Sequence, residues 1–275
     1  MPVFTNISAY QFAPLGNLKA LQAVLRVICM EAGMLGTILL SPEGINVVVS
    51  AEPDAANQLL NYLRTIPSLA NLNAKISESY HQPFNRMLVK IKKEIIAFGV
   101  TGIDPGCSPA PRVSPRKLKK WLDQGRSVTL LDARNAYEIK LGTFRGAHTL
   151  DLDQFREFPM AAAFLPRHLK ENPIVTFCTG GIRCEKAAPF LQKAGFAQVF
   201  QLDGGILRYF EECGGEHFEG DCFVFDKRVA LDASLQETRA ALCFVCQTPL
   251  TAAEQEDPRY VESVSCPHCC KEEAV

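Results

Sequence analysis

Pro173-Ile174-Val175-Thr176-Phe177-Cys178-Thr179-Gly180-Gly181-Ile182-Arg183-Cys184 is the stretch that decides the fold of this chain. Residues 173–177 form a continuous apolar run of the kind a buried parallel strand needs, and residues 184–194 read as a helix that stops before Gly195. A strand, a two-glycine loop and a helix start place the Cys178 sulfur beside unpaired backbone N–H groups and the positive end of a helix dipole, which favours thiolate over thiol. Gly180 and Gly181 let the backbone curl where a side chain would obstruct it, and Arg183 adds a fixed positive charge for the thiolate or for an anionic substrate. The arrangement Cys-x-x-Gly-x-Arg between strand and helix marks Cys178 as a nucleophile, with Thr179, Gly180, Gly181, Ile182 and Arg183 as the loop that would hold a developing anion. The plainer reading is a small core residue at a strand end. Cys184 has two readings as well, a thiol that resolves a disulfide or persulfide on Cys178, or a packing residue at the helix start.

Outward from this loop, residues 128–131 and 198–202 are apolar runs of the same type, and 136–141 and 161–170 are helical stretches between them. Ser114 followed by Pro115 is a helix start, since the hydroxyl accepts an orphan N–H and proline at the first position loses no bond. Alternating strand and helix predict an α/β domain with a mainly parallel sheet over residues 114–215. Residues 101–113, dense in Gly and Pro, are expected as a linker. Before it, residues 1–100 read strand 3–12, a helix with Leu18, Leu21, Leu25 and Ile28, strands 37–40 and 45–50 about the turn Ser41-Pro42-Glu43-Gly44, a helix with Leu59, Leu60 and Leu63, and strands 74–77 and 87–98. That order predicts a ferredoxin-like split βαβ domain. Residues 216–275 are acidic, irregular and rich in cysteine. There Cys243-Phe244-Val245-Cys246 and Cys266-Pro267-His268-Cys269 form two Cys-x-x-Cys knuckles at the spacing of a zinc ribbon, against the alternative of four reduced thiols.

A hydrophobic share of 47% with mixed charge describes a globular chain. The most apolar long stretch, 21–40, contains Arg26 and Glu31 and cannot span a bilayer. The first residues lack a basic and apolar leader, so a reducing cytoplasm is expected, where the eleven cysteines are better read as catalytic, metal-binding or buried than as disulfides, and their odd number argues against complete pairing. The net charge of −1 hides an uneven spread: Arg112, Arg116, Lys117, Lys119, Lys120 and Arg126 face only Asp123 nearby. With Arg86, Lys90, Lys92 and Lys93 they are candidates for contacts to an anionic partner, or simply solvated faces. No Gly-x-Gly-x-x-Gly follows a predicted strand, so no flavin or nicotinamide motif is evident, and the five histidines are too scattered to spell an iron site.

Leu131-Asp132-Ala133-Arg134, Tyr137-Glu138, Gly142, Arg145-Gly146-Ala147-His148 and Cys178 through Ala187 resemble successive signatures of a rhodanese domain. Ser41 through Asn46, Phe155 through Phe158 and Phe218 through Asp226 are similar to segments of the bacterial tRNA uridine(34) hydroxylases, which pair an N-terminal ferredoxin-like (acylphosphatase-like) domain with a rhodanese domain. This resemblance implies oxygen-dependent conversion of wobble uridine to 5-hydroxyuridine, with molecular oxygen as co-substrate, tRNA as partner and Cys178 as the essential cysteine. Arg86, Lys90, Lys92, Lys93, Arg116, Lys117, Lys119 and Lys120 then become candidate tRNA contacts. The residues alone support a thiolate enzyme acting on sulfur, so a sulfurtransferase carrying a Cys178 persulfide and a non-catalytic RNA- or protein-binding module stand beside the hydroxylase.

Overall fold

The computed structural model describes residues 3–270, and the chain divides into two compact units, Met1–Pro109 and Ala110–Val275. In the first unit, β1 (Phe4–Phe12), α1 (Leu18–Glu31), β2 (Leu35–Ser41), β3 (Gly44–Ala51), α2 (Pro53–Thr65) and β4 (Ala74–Ser79) follow the βαββαβ order, with β5 (Met87–Ile91) added. The sheet order is β4-β1-β3-β2-β5, antiparallel except where β5 runs parallel to β2, so the predicted ferredoxin-like fold carries a fifth strand at one edge. Leu25 and Cys29 of α1 and Leu59, Leu60 and Leu63 of α2 close over Ile7, Ile38, Leu40, Val47 and Val49, all buried. The turn between β2 and β3 needs glycine at position 44, where a Cβ would lie 2.1 Å from the Gln11 carbonyl oxygen.

Strand 87–98 is shorter than predicted because side chains take over its backbone bonds. The Ser41 hydroxyl donates to the Lys93 carbonyl at 2.8 Å, Glu43 accepts from the Ile95 N–H at 2.8 Å, and Glu94 accepts from the N–H groups of Phe98 and Gly99 at 3.0 Å each. Each captured group is lost to the ladder.

The second unit opens inside the stretch expected as linker, with β6 (Arg112–Val113), which pairs parallel to β10 (Val199–Leu202). Then follow α3 (Pro115–Asp123), β7 (Thr129–Asp132), α4 (Ala136–Ile139), β8 (Gly142–Phe144), α5 (Phe158–Ala162), β9 (Ile174–Phe177), α6 (Cys184–Lys193), β10 and α7 (Gly205–Cys213). The parallel sheet has the order β6-β10-β9-β7, which makes β9 a central strand. Leu118 and Trp121 of α3 and Ile206, Tyr209 and Phe210 of α7 pack with Val113, Leu130, Val175, Phe177 and Leu202 on one face, while α6 covers β9 and β10. The helix predicted over 161–170 is broken in two, because Pro166 supplies no N–H and restricts the residue before it; α5 ends at Ala162 and a 3₁₀ turn takes Arg167–Lys170. The structure adds α7, whose apolar residues Ile206, Tyr209 and Phe210 recur at helical spacing over too short a span to stand out from the strand before them.

Beyond α7 the chain is less irregular than its composition suggested. β11 (Phe218–Gly220) pairs with β8, β12 (Cys222–Phe223) with β13 (Ala230–Leu231), and β14 (Ala241–Leu242) with β15 (Pro249–Leu250), before the short α8 (Ala252–Gln255). Among the described residues no helix is long and apolar enough to cross a membrane.

Candidate active site

Cys178 follows the last residue of β9, at the carboxyl end of a central parallel strand, where α/β sheets place their ligands. The loop after it is built around the sulfur. Gly181, at φ +102, donates its N–H to the Cys178 Sγ at 3.1 Å. The start of α7 holds the loop from below: Ile206 and Leu207 donate their N–H groups to the carbonyls of Cys178 and Thr179 at 3.0 and 3.1 Å. Gly205 makes this approach possible, since a Cβ there would sit 2.4 Å from the Cys178 carbonyl oxygen and its φ is +66.

The charge on the loop is balanced by Glu138, a residue of the rhodanese signature to which the sequence alone assigns no role. Both terminal nitrogens of Arg183 donate to Glu138, at 2.5 and 2.7 Å, and Glu138 is fully buried. Burial works against ionised Glu138, but the Arg183 charge and hydrogen bonds, together with the Asn135 N–H at 2.9 Å, bring its carboxyl below the usual range. Asn135 and Glu138 stand at the cap and third position of α4, a capping-box spacing visible in the sequence. Thr179 ties the same carboxylate to the next segment, its hydroxyl lying 3.5 Å from Glu138 Oε1 and 3.3 Å from the Phe223 carbonyl oxygen. Next to α4, the buried Asp132–Arg134 pair closes at 2.6 Å, and Ala133 donates its N–H to the Phe177 carbonyl at 2.9 Å, fixing the end of β7 against β9.

In this setting burial alone would push the Cys178 thiol up. A hydrogen bond from the Cys184 thiol, the Arg183 charge and the N–H groups of Arg183 and Gly181 outweigh it and bring Cys178 down to about 5. Cys184 moves the opposite way, raised first by burial and then by the neighbouring sulfur. The two cysteines are thus a thiolate and its thiol donor. Arg183 serves the thiolate through its charge, whereas its hydrogen-bonding fork is committed to Glu138 and does not face outward for an anionic substrate. Cys178 has no accessible surface, so contact with any external molecule requires part of its cover to move. Gly180 and Ile182 are half-buried at the rim.

The second predicted site also assembles. The sulfurs of Cys243, Cys246, Cys266 and Cys269 lie within 4.8 Å of one another, with separations of 3.8 Å (Cys243–Cys269), 3.6 Å (Cys246–Cys266) and 3.7 Å (Cys266–Cys269). Four thiolates about 2.3 Å from a tetrahedral metal ion have edges of about 3.8 Å. The cluster therefore has the dimensions of a metal site, and Leu250 and Tyr260 pack against it. Lys140, just past Glu138, reaches this module through the Pro249 carbonyl at 3.1 Å and Glu254 at 2.7 Å; Glu254 also pairs with His268 at 2.7 Å.

Two family profiles match the chain, one described as the UPF0176 acylphosphatase like domain over residues 4–95 and one as the rhodanese-like domain over residues 114–212. A tRNA uridine(34) hydroxylase of Cupriavidus metallidurans is 47% identical over 269 residues, covering 96% of this chain and 95% of its own. One of Ralstonia nicotianae is 44% identical over 274 residues, covering 98% and 97%. The chain belongs to the tRNA uridine(34) hydroxylase family. Among solved structures, the rhodanese-like domain of an Anabaena protein is 27% identical with a TM-score of 0.33, covering 40% of this chain and 79% of that one.

The basic residues singled out in the sequence differ in their surroundings. Arg86, Lys90, Lys92 and Lys93 are exposed and have no acidic partner among the described residues. Arg116 is 3.7 Å from Glu212, and Lys119 is bound by both Asp123 and Glu216, which pull its ammonium well above the usual lysine range. Glu212 and Glu216 could not be seen as neighbours in the sequence, because they come from the end of α7 and just beyond it. Lys117 lies over the Trp121 ring at 5.3 Å, and Lys120 is exposed.

Proposed function

We propose that this protein hydroxylates carbon 5 of uridine 34 in tRNA, using Cys178 as a covalent nucleophile. What carries the reading is identity of 44–47% over nearly the whole chain to proteins named tRNA uridine(34) hydroxylase. The site's chemistry suits it. Carbon 5 of uracil is a poor nucleophile until something adds to carbon 6, and a thiolate is suited to that addition. The new S–C6 bond sends the ring electron pair to carbon 5 and O4. Carbon 5 then takes one oxygen atom of molecular oxygen, the other leaving as water with two electrons and two protons from a cellular reductant. Loss of the carbon 5 proton and departure of the sulfur from carbon 6 restore the ring and the thiolate. Gly181 and Arg183 hold the sulfur ionised at both ends of this cycle, and Glu138 holds Arg183.

Molecular oxygen is the co-substrate in this reading and tRNA the macromolecular partner, with Lys117, Lys120 and the exposed cations of residues 86–93 as phosphate contacts. The four C-terminal sulfurs fit zinc, which would be held by Cys243, Cys246, Cys266 and Cys269 as a closed structural site with no position open for substrate. The test is mass spectrometry of uridine 34 in tRNA from cells with the protein, without it, and with Cys178→Ser. Formation of 5-hydroxyuridine only with the intact cysteine supports the reading, and equal levels in all three reject it. A tRNA carrying 5-fluorouridine at position 34 should also trap a covalent complex that Cys178→Ser cannot form.

The rhodanese-like match supports a second reading, transfer of sulfane sulfur through a Cys178 persulfide. Rapid turnover of thiosulfate with no change at uridine 34 would favour it.

A further inference from the structure

Phe225 is out of place for its chemistry. It lies in the turn between β12 and β13 with 56% of its surface exposed, in a segment whose neighbours Phe223, Val224 and Val229 are buried. The turn is not loose. Val224 donates its N–H to the Val229 carbonyl at 2.9 Å and Val229 to the Asp226 carbonyl at 3.0 Å. Arg228 grips Asp226 through Nε and Nη2 at 2.9 and 2.6 Å, with both side chains almost fully buried. Val229 itself sits at φ +59, a conformation a β-branched residue takes only when its surroundings impose it.

The position of this rigid, outward phenyl ring is as informative as its exposure. The Arg183 guanidinium lies 5.8 Å from the ring centroid, and the Phe223 ring meets it edge-on at 5.1 Å. Phe223 in turn receives the Thr179 hydroxyl on its carbonyl and packs edge-on against Tyr137 at 5.4 Å. An exposed aromatic face is thereby locked to the residues that follow Cys178 and to the helix that carries Glu138. A base must leave the anticodon stack before a sulfur can reach its carbon 6, and a splayed base is held most simply by stacking on an aromatic ring.

We infer that Phe225 is the stacking platform for the uracil ring of nucleotide 34, holding the displaced base over the nucleophile loop. This rests on the uridine 34 reading given above. The test therefore measures binding separately from turnover, with the full-length protein and two anticodon stem-loop RNAs, one with uridine at position 34 and one abasic there. Base–aromatic stacking is worth a loss of about 5- to 150-fold when the ring is removed. Phe225→Leu and Phe225→Ala should bind the uridine RNA at least about fivefold more weakly and the abasic RNA as the parent does, while Phe225→Tyr keeps the preference for uridine.

Equal losses by the leucine variant on both RNAs, or none on either, would overturn the inference. If the alanine variant loses affinity for everything through damage to the turn, the comparison of Leu with Tyr decides, and indistinguishable binding by those two also overturns it. Parent protein that binds with this preference but forms no 5-hydroxyuridine would leave the platform standing and remove the proposed reaction instead.

Discussion

Glu138 and Arg183 make opposite predictions for the same sulfur. Arg183 is a cation beside a thiolate, and an opposite charge at such range lowers an acid by about 1–3 pH units. Arg183→Met should therefore raise Cys178 by about that much, toward the ordinary cysteine value. Glu138→Gln removes the anion that shares the guanidinium, so Cys178 should move further down. The stability costs differ as well. Glu138→Gln leaves a buried guanidinium without its counter-charge, which costs about 3–5 kcal/mol, whereas replacing both partners with uncharged residues of similar size recovers much of that loss. The assay is the ultraviolet absorbance of the thiolate against pH, taken as the difference between each variant and the same variant carrying Cys178→Ser, alongside denaturant unfolding. Shifts of the same sign for the two single variants would refute the claim that Arg183 acts on the sulfur through charge. A double variant no more stable than Glu138→Gln would refute the pairing.

Other consequences can be measured with simpler material. Because the folded protein depresses Cys178 to about 5 from a free value of about 8.5, its ionisation contributes stability that is fully present above about 8.5 and is lost as pH falls toward 5. The advantage of the parent over Cys178→Ser should shrink by about 1.4 kcal/mol per pH unit across that window in unfolding titrations, and a pH-independent difference would contradict it. Protein expressed with zinc should carry one equivalent by elemental analysis, and Cys243→Ser or Cys266→Ser should lower the metal content and expose residues 241–270 to limited proteolysis. Lys117→Glu with Lys120→Glu should weaken tRNA binding and reduce the slope of log K against log salt by about one for each phosphate no longer neutralised, whereas Lys119→Glu, already neutralised by two acids, should change the slope less.

The fold was legible where it depends on neighbours in sequence. The strands over 37–40 and 45–50, the turn at Ser41–Gly44 and the strand–glycine–helix passage at Cys178 are local patterns, and each stands where its residues placed it. The site was legible only in part, because its electrostatics depend on residues joined by the fold. Glu138 reaches Arg183 across 45 residues, and Thr179 reaches Phe223 across 44. Glu138 could have been singled out from the Asn135-x-x-Glu138 capping spacing, but nothing local says that its carboxylate is buried or that it meets a guanidinium. Gly205 is of the same kind: a second glycine in a turn looks like punctuation until the Cys178 carbonyl is found against its α-carbon. The basic helix shows the converse, since the acids that neutralise Arg116 and Lys119 include Glu212 and Glu216, which arrive from far along the chain.

A depressed thiol is often credited with faster attack, yet here the two effects nearly cancel. At neutral pH a free cysteine is about 3% ionised, so lowering the pKa to about 5 raises the thiolate population by about 30-fold. Intrinsic nucleophilicity falls with basicity with a coefficient of about 0.4–0.5, which over about 3.5 units removes a factor of about 25 to 55. Attack alone therefore gains little from the Arg183, Gly181 and Cys184 contacts. Departure gains a great deal, because a sulfur of low basicity is the better leaving group. A site arranged in this way suits a sulfur that must bond to its substrate and then let go of it, which is what addition to carbon 6 and restoration of the uracil ring require.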